Sequence, residues 1–384
     1  MKREVFNNII GSPYDLGYPT LSAEQEKNIL AELFEQLLIF DKVIIRTNRL
    51  NFSLFFLINK LGLNNVERLF DSGYIKLLLW SPLIITGTGR QNEDGTFDES
   101  TILGQPPIVG GSLSSDDTDP DKNIHNALMH FNLHRDRKRI LARRIEKNYI
   151  IPNGLEYSTN SAKFVIDSYQ RNNLTELGLP FDKEPDQLNL EERRLLLGLG
   201  SRVIETALLS KYELKSYQNY EHFAICKQNL NNIGKAYNIS ENTSTILSLE
   251  NLPDLKSLYL SEKLTFDNVF TLRHLSNAKF YRKWINEIGE DSNAQEISKE
   301  YLNQIKGSSN FFENNGGKFI RNLGVFGLGS ALGGAIAGPI GTIAGFTLGL
   351  LDTYVLDNIL KGKNPSMFVD EIRNTLRDNE NQEL

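Results

Sequence analysis

The spacing of apolar and polar residues divides the chain into three unlike stretches. In the first, helical and strand patterns alternate. Ser22 and Gln25 stand three apart as a capping box, and Leu30, Leu33 and Leu37 follow at helical spacing through Ile39. The apolar run Val43 to Ile45 predicts a strand, and Phe52 to Ile58 a helix that Gly62 stops. Asn64 is placed to cap a further short helix, Val66 to Phe70, closed by Gly73, after which Tyr74 to Trp80 and Leu83 to Thr86 read as strands. Thr86 to Gly89, the turn residues Glu93-Asp94-Gly95 and a strand over Thr96 to Leu103 predict a β-hairpin.

From Gly104 to Pro120 prolines, glycines, serines and aspartates accumulate, which predicts a linker. Beyond it the period is helical. One long helix is expected from near Asn123, with the acidic run Asp117, Asp119 and Asp121 at its positive end. Further helices are expected over Leu190 to Leu209, Tyr212 to Ile233 and Ser244 to Leu249. Pro253-Asp254 starts another, Thr265 caps the next, and Asn277 begins the stripe Phe280, Trp284, Ile288.

The third stretch is unlike either. Asn322 to Leu351 has no charge in thirty residues and contains nine glycines. Gly329, Gly333, Ala337, Gly341, Gly345 and Gly349 recur every four residues, which on a helix makes one groove for close approach of another helix. Glycine costs about 1 kcal/mol per helical position relative to alanine, so such a helix needs packing against protein or lipid. Gly338-Pro339 is placed to end one helix and open a second. The resulting arms of about fifteen residues fall short of the ~20 that a bilayer span requires. Burial against the rest of the protein or a sister subunit, and membrane insertion, both remain open at this point. Lys318 and Arg321 before the stretch balance Lys361 and Lys363 after it, so no orientation follows.

The expected fold is therefore α+β and predominantly α-helical. It comprises a small α/β domain (1–103), a linker (104–120), a helical bundle (121–306), a joint rich in Asn, Ser and Gly (307–317), and a glycine-rich helical hairpin with amphipathic C-terminal helices (318–384). A net charge of −6 argues against a general nucleic-acid coat and leaves local basic patches to consider. One cysteine, Cys226, suits a reducing compartment, and the first fifteen residues lack the apolar core of a secretory signal. Residence in the cytoplasm, with conditional association with a bacterial inner membrane, is the expectation; the abundance of Asn, Ile and Lys fits an AT-rich bacterial genome.

Candidate chemistry is sparse. The densest basic run, Arg135 to Lys147, includes Arg135, Arg139, Arg143 and Arg144 as a candidate phosphate-binding ridge for nucleic acid, a nucleotide or anionic lipid. Read otherwise, it is a solvated helix face. His130 and His134 beside it lack the cysteine or carboxylate partners of a zinc pattern. Lys122 and Leu128 occupy the glycine and glutamate positions that a calcium loop beginning at Asp117 would need. His222 and Cys226 read as packing residues. Neither Thr86 to Gly89 nor Gly327 to Gly333 has the context of a phosphate loop or dinucleotide fingerprint. No catalytic residue, metal site or cofactor is expected.

The run Val43 to Leu50 (VIIRTNRL) resembles the opening strand of PIN-like nucleases, with Arg46 where that family carries an aspartate, and Gly73 to Pro82 (GYIKLLLWSP) is similar to a later strand of the same fold. The resemblance covers about fifty residues. It implies a nuclease fold, and the guanidinium at Arg46 implies loss of the metal that the chemistry requires. Two functions follow as expectations. One is a non-enzymatic bacterial effector or assembly protein, antiviral or toxin-like in architecture, acting through its glycine-rich hairpin on sister subunits, a partner protein or the membrane. The other is a PIN-like nuclease or phosphate-ligand-binding protein using Asp41, Asp71 and the basic helix.

Overall fold

A computed structural model describes residues 3–10, 20–79, 84–86, 108–110, 116–153, parts of 163–219, 244–252, 254–287, 321–328 and 366–382. The fold is mixed and helix-rich. Its frame is a seven-stranded sheet in the order β6-β3-β2-β1-β7-β9-β8. The strands are β1 (Glu4–Asn7), β2 (Lys42–Thr47), β3 (Ile75–Leu79), β6 (Tyr149–Ile150), β7 (Lys215–Asn219), β8 (Ser244–Leu252) and β9 (Arg321–Leu328). A separate antiparallel pair joins β4 (Ile84–Thr86) to β5 (Ile108–Gly110).

The first five strands of that order are parallel, and β9 then pairs antiparallel with both β7 and β8. In chain order the sheet grows outward from β1 through β2, β3 and β6, and then returns to place β7 on the other side of β1. That reversal is a topological switch point.

Helices α1 (Ala23–Ile39), α2 (Phe52–Leu61), α3 (Leu63–Asp71), α4 (Pro120–Leu128) and α5 (Arg135–Glu146) connect these strands. Ser22 caps α1 with the reciprocal Gln25 bonds of a capping box, and Gly62, at φ 78, separates α2 from α3 in a conformation that suits glycine. Val5, Val43, Ile45, Ile75 and Leu77 point from one sheet face into a core shared with all five helices. The same core includes residues of α6 (Leu255–Leu260), α7 (Asp267–His274), α8 (Ser276–Glu287) and α9 (Ser366–Gln382), so it draws on chain from both sides of residues 104–120. Phe6, Ile44 and Leu78 alternate with the first set and are buried too, as the period of two requires for a sheet covered on both faces.

Several expectations are corrected. The chain has a strand, β1, ahead of the run that resembles an opening nuclease strand, so Val43 to Thr47 is the second strand and not the first. The single long helix from Asn123 is two helices. Between them Phe131 and Leu133 alternate toward the core, Phe131 lying 5.7 Å from the Phe55 ring, and His134 caps α5. Two predicted helices contain strands instead, β7 within 212–233 and β8 over 244–252, because their pairing partners lie far away in sequence where local period gives no signal. The head of the glycine-rich stretch is also a strand: Leu323 to Gly327 of β9 pair on both sides, and ladders on two edges offset the cost of Gly324 and Gly327 in a strand interior. The partner of β4 is Ile108–Gly110 inside the expected linker, while the predicted turn and strand over 87–103 lie outside the described residues.

Candidate functional site

Open parallel sheets bind ligands beyond the carboxyl ends of their strands, where the strand order reverses. Here that edge is lined by buried polar groups. At the end of β1, Asn7 donates from Nδ2 to Gln36 Oε1 of α1 at 2.8 Å, and its Oδ1 accepts from the backbone of Ile9 and Ile10. At the end of β2, the Thr47 hydroxyl donates to Asn51 Oδ1 at 2.7 Å. Asn51 caps α2 from the left-handed region (φ 51, ψ 47), which asparagine tolerates better than most residues.

The turn between them leaves donors unused. Asn48 Oδ1 accepts from Leu50 N, and Asn51 Oδ1 accepts from Leu54 N as well as from Thr47. Those donors fix which end of each amide is oxygen. The Nδ2 atoms of both asparagines are buried and have no hydrogen-bond partner among the described residues. A buried donor without a partner in a native fold calls for an explanation, and a bound water or ligand oxygen supplies one.

Arg49 and Leu50 of the same turn line a cavity of about 420 Å³ together with Asp116, Asp117, Lys122, Asn123, His125 and Asn126. That is within the size range of small-molecule sites. Its walls are polar and held in place. Arg49 pairs with Asp117 at 3.4 Å, Lys122 with Asp116 at 2.5 Å, and Asn126 donates to the carbonyl of Arg49. Asn123 bonds the Asp117 carbonyl and the Tyr149 hydroxyl. Burial raises the Tyr149 phenol, with the Asn123 and Thr47 hydrogen bonds working in the opposite sense, so it stays protonated at neutral pH.

On the opposite face of β2, Arg46 is nearly buried. Its charge acts on Glu205, whose carboxyl is pushed up to about 7 by burial, with Arg46 pulling it partly back. Glu205 is half-buried as a residue, so its ionisable end is more enclosed than its stem. Arg46 is therefore an interior cation acting on Glu205.

The basic helix divides in two. Arg137 pairs with Glu67 at 2.5 Å and Arg144 with Asp71 at 3.1 Å, and these ion pairs dock α5 on α3. Arg135, Arg139 and Arg143 are exposed and belong to no ion pair among the described residues. Of the four candidate anion ligands, Arg144 thus serves the docking side. His130 lies edge-on to Phe55, and Asp119 caps α4. Asp41 and Asp71 do not converge: Asp41 sits at the amino end of β2, bound to Arg3 and Arg282, and Asp71 ends α3. Among the described residues no group of three or more metal-ligating side chains comes together. Gly329, Gly333, Ala337, Gly341, Gly345 and Gly349 lie outside the described residues, as do His222 and Cys226. Among the described residues no helix is long and apolar enough to cross a membrane.

These strands define a mixed, helix-rich protein with a mostly parallel sheet and a polar crevice at its carboxyl edge. Comparison of the chain with protein-family models, with curated proteins and with solved structures finds no match. Sequence reading missed Asn7, Asn48, Asn51 and Glu205. The one available signal was Asn48 and Asn51 following a strand run directly and preceding a helix, the place where an α/β turn presents its ligand groups.

Proposed function

We propose that the protein is a non-enzymatic effector of a bacterial cell in which a small polar ligand at the carboxyl edge controls the glycine-rich stretch, and that this stretch acts by self-association or at the membrane. The observation that carries the reading is the position of β9. Its residues are the head of that stretch, and they hydrogen-bond to β7, which pairs with β1 at the switch point. One sheet therefore runs from the crevice to the segment that would produce the output. A ligand that favours one arrangement of β1 and β7 acts on β9 through shared backbone hydrogen bonds, which is the differential contact that any ligand-driven shift requires.

Vesicle leakage and oligomeric state of the full chain, with and without Gly341→Leu and Gly345→Leu, test the output. The wild type is expected to assemble or release vesicle contents, and the leucines to abolish this by filling the small-residue groove. A wild type that stays monomeric and releases nothing, with each nucleotide and phosphorylated metabolite tried as the activating ligand, overturns the reading.

A further inference from the structure

We infer that the exposed side of α5 is a docking face for an anionic lipid surface. Arg135, Arg139 and Arg143 repeat every four residues. On a helix turning about 100° per residue they form one row, with Ile140 and Lys147 on the adjoining part of the same open arc, which also carries Asp136 and Glu146 and so has a net positive charge of two. All three arginines are exposed and belong to no ion pair among the described residues, whereas Arg137 and Arg144 are engaged with α3. The buried side of α5 is separate and consists of Leu141, Ala142 and Ile145. The split shows that docking on α3 accounts for only part of the positive charge.

Two exposed apolar side chains lie on α5 and at the end of α4. Ile140 is 46% exposed, and Met129, at the C-cap of α4 just before the turn into α5, is 70% exposed. A cationic row with protruding aliphatic groups is the composition of a helix that rests in a membrane interface, where arginines meet headgroup phosphates and aliphatic tips enter the acyl boundary. A nucleic-acid groove is less well matched. The row spans three charges, enough for only about three phosphates, and α5 has no aromatic residue to stack on bases. The chain carries a net charge of −6, so this local reversal of sign also orients the molecule toward an anionic surface.

Each arginine near such a surface contributes roughly a fivefold gain in partitioning. Sedimentation of the full chain with vesicles of equal parts phosphatidylglycerol and phosphatidylethanolamine, against phosphatidylcholine vesicles, tests the proposal. The wild type is expected to bind the anionic vesicles and to lose binding as salt is raised. Arg139→Glu with Arg143→Glu should lower binding by at least a hundredfold, and Ile140→Asp by several-fold. Lys163→Glu with Lys279→Glu, which changes the net charge equally at exposed sites elsewhere, should lower it by less than tenfold. Thermal melts of all variants check folding. Anionic binding that survives the Arg139 and Arg143 reversals overturns the docking face, whatever Gly341→Leu does to leakage. So does arginine-dependent binding of single-stranded RNA or duplex DNA without vesicle binding, which would assign the row to nucleic acid. Conversely, loss of leakage in Gly341→Leu with vesicle binding intact separates the output segment from the docking face.

Discussion

The two ends of β2 handle polarity in opposite ways. At the amino end, Arg273 is buried and its guanidinium donates to the carbonyls of Leu37, Phe40 and Asp41, closing the C-terminus of α1 and the turn that follows it, where carbonyls lack helical donors. Arg282 donates to the carbonyl of Arg273 and stands 3.5 Å from Asp41, which also binds Arg3 at 2.5 Å. Burial, and after it the like charge of Arg282, pull the Arg273 proton affinity down, yet Asp41 and the Tyr74 ring 4.0 Å away favour the cation. At the carboxyl end the ion pairs Arg49–Asp117 and Lys122–Asp116 are partly exposed, and among the described residues the unused buried donors include the neutral amides of Asn48 and Asn51, whereas at the amino end Arg273 Nε is an unused one. The first end is a clasp that holds α7 and α8 to α1. The second keeps neutral amide donors in reserve, as a binding edge does.

The largest expected effect is therefore at the amino end. Arg273→Ala leaves several carbonyls at the end of α1 without a donor and should cost on the order of 3 kcal/mol or more in denaturant unfolding. Arg273→Lys should not restore it, because a single ammonium cannot span the same fork of acceptors. A loss below about 1 kcal/mol would mean that the clasp is ornamental and that the contrast between the ends is false.

Next is Glu205. Between its ordinary value of 4.5 and about 7 the carboxyl is protonated in the fold and ionised in the unfolded chain. Folding takes up a proton in that window, so the contribution is fully present below 4.5 and is lost as pH rises through 7. At about 1.4 kcal/mol per unit the loss approaches ~3 kcal/mol. Glu205→Gln should flatten the dependence and raise stability above pH 7. An unchanged pH profile in the variant would show that Glu205 is ionised in the fold.

Asn51 provides a finer comparison. Both Asn51→Ala and Asn51→Gly lose the cap on α2, but only alanine also meets the left-handed backbone, so alanine should be worse by ~1 kcal/mol. Equal losses would remove the strain from the account. Smallest is Arg3→Ala at the amino end. Arg3 and Asp41 are both partly exposed, so the change should stay within about 1 kcal/mol and shrink with salt.

How much of this was legible depended on how local its cause is. The capping box at Ser22, the strands at Val43 and Ile75 and the stop at Gly62 follow from neighbouring residues, and the structure has them where the sequence puts them. β1 escaped because four residues beginning with Glu4 show no alternation, and it is a strand because β2 and β7 pair with it on either side. β7 and β9 escaped for the same reason: Lys215–Asn219 finds its ladder about a hundred residues away. The crevice was illegible because asparagines in a turn look ordinary until a sheet stacks Asn7, Thr47 and Tyr149 along one edge. The basic helix was legible as charge but not as two halves, since only packing on α3 distinguishes Arg144 from Arg143.

The position of β9 has one more consequence, a matter of parity. The period-four pattern begins at Gly329, immediately after β9 ends at Leu328. Beyond it the chain returns to the folded body at α9, where Phe368 meets the Tyr281 ring at 4.6 Å and Glu371 accepts from Asn277. The interval is thus moored at both ends to one side of any bilayer. A segment moored this way must leave a membrane by the face it entered, so its crossings come in even numbers. Two full helical crossings need about 40 apolar residues, more than residues 329–365 contain. While both moorings hold, two helical crossings of usual length do not fit, so a full-depth helical output is expected to need β9 or α9 to let go. Cross-linking β9 to β7 should therefore separate shallow association from pore formation, leaving the first and abolishing the second.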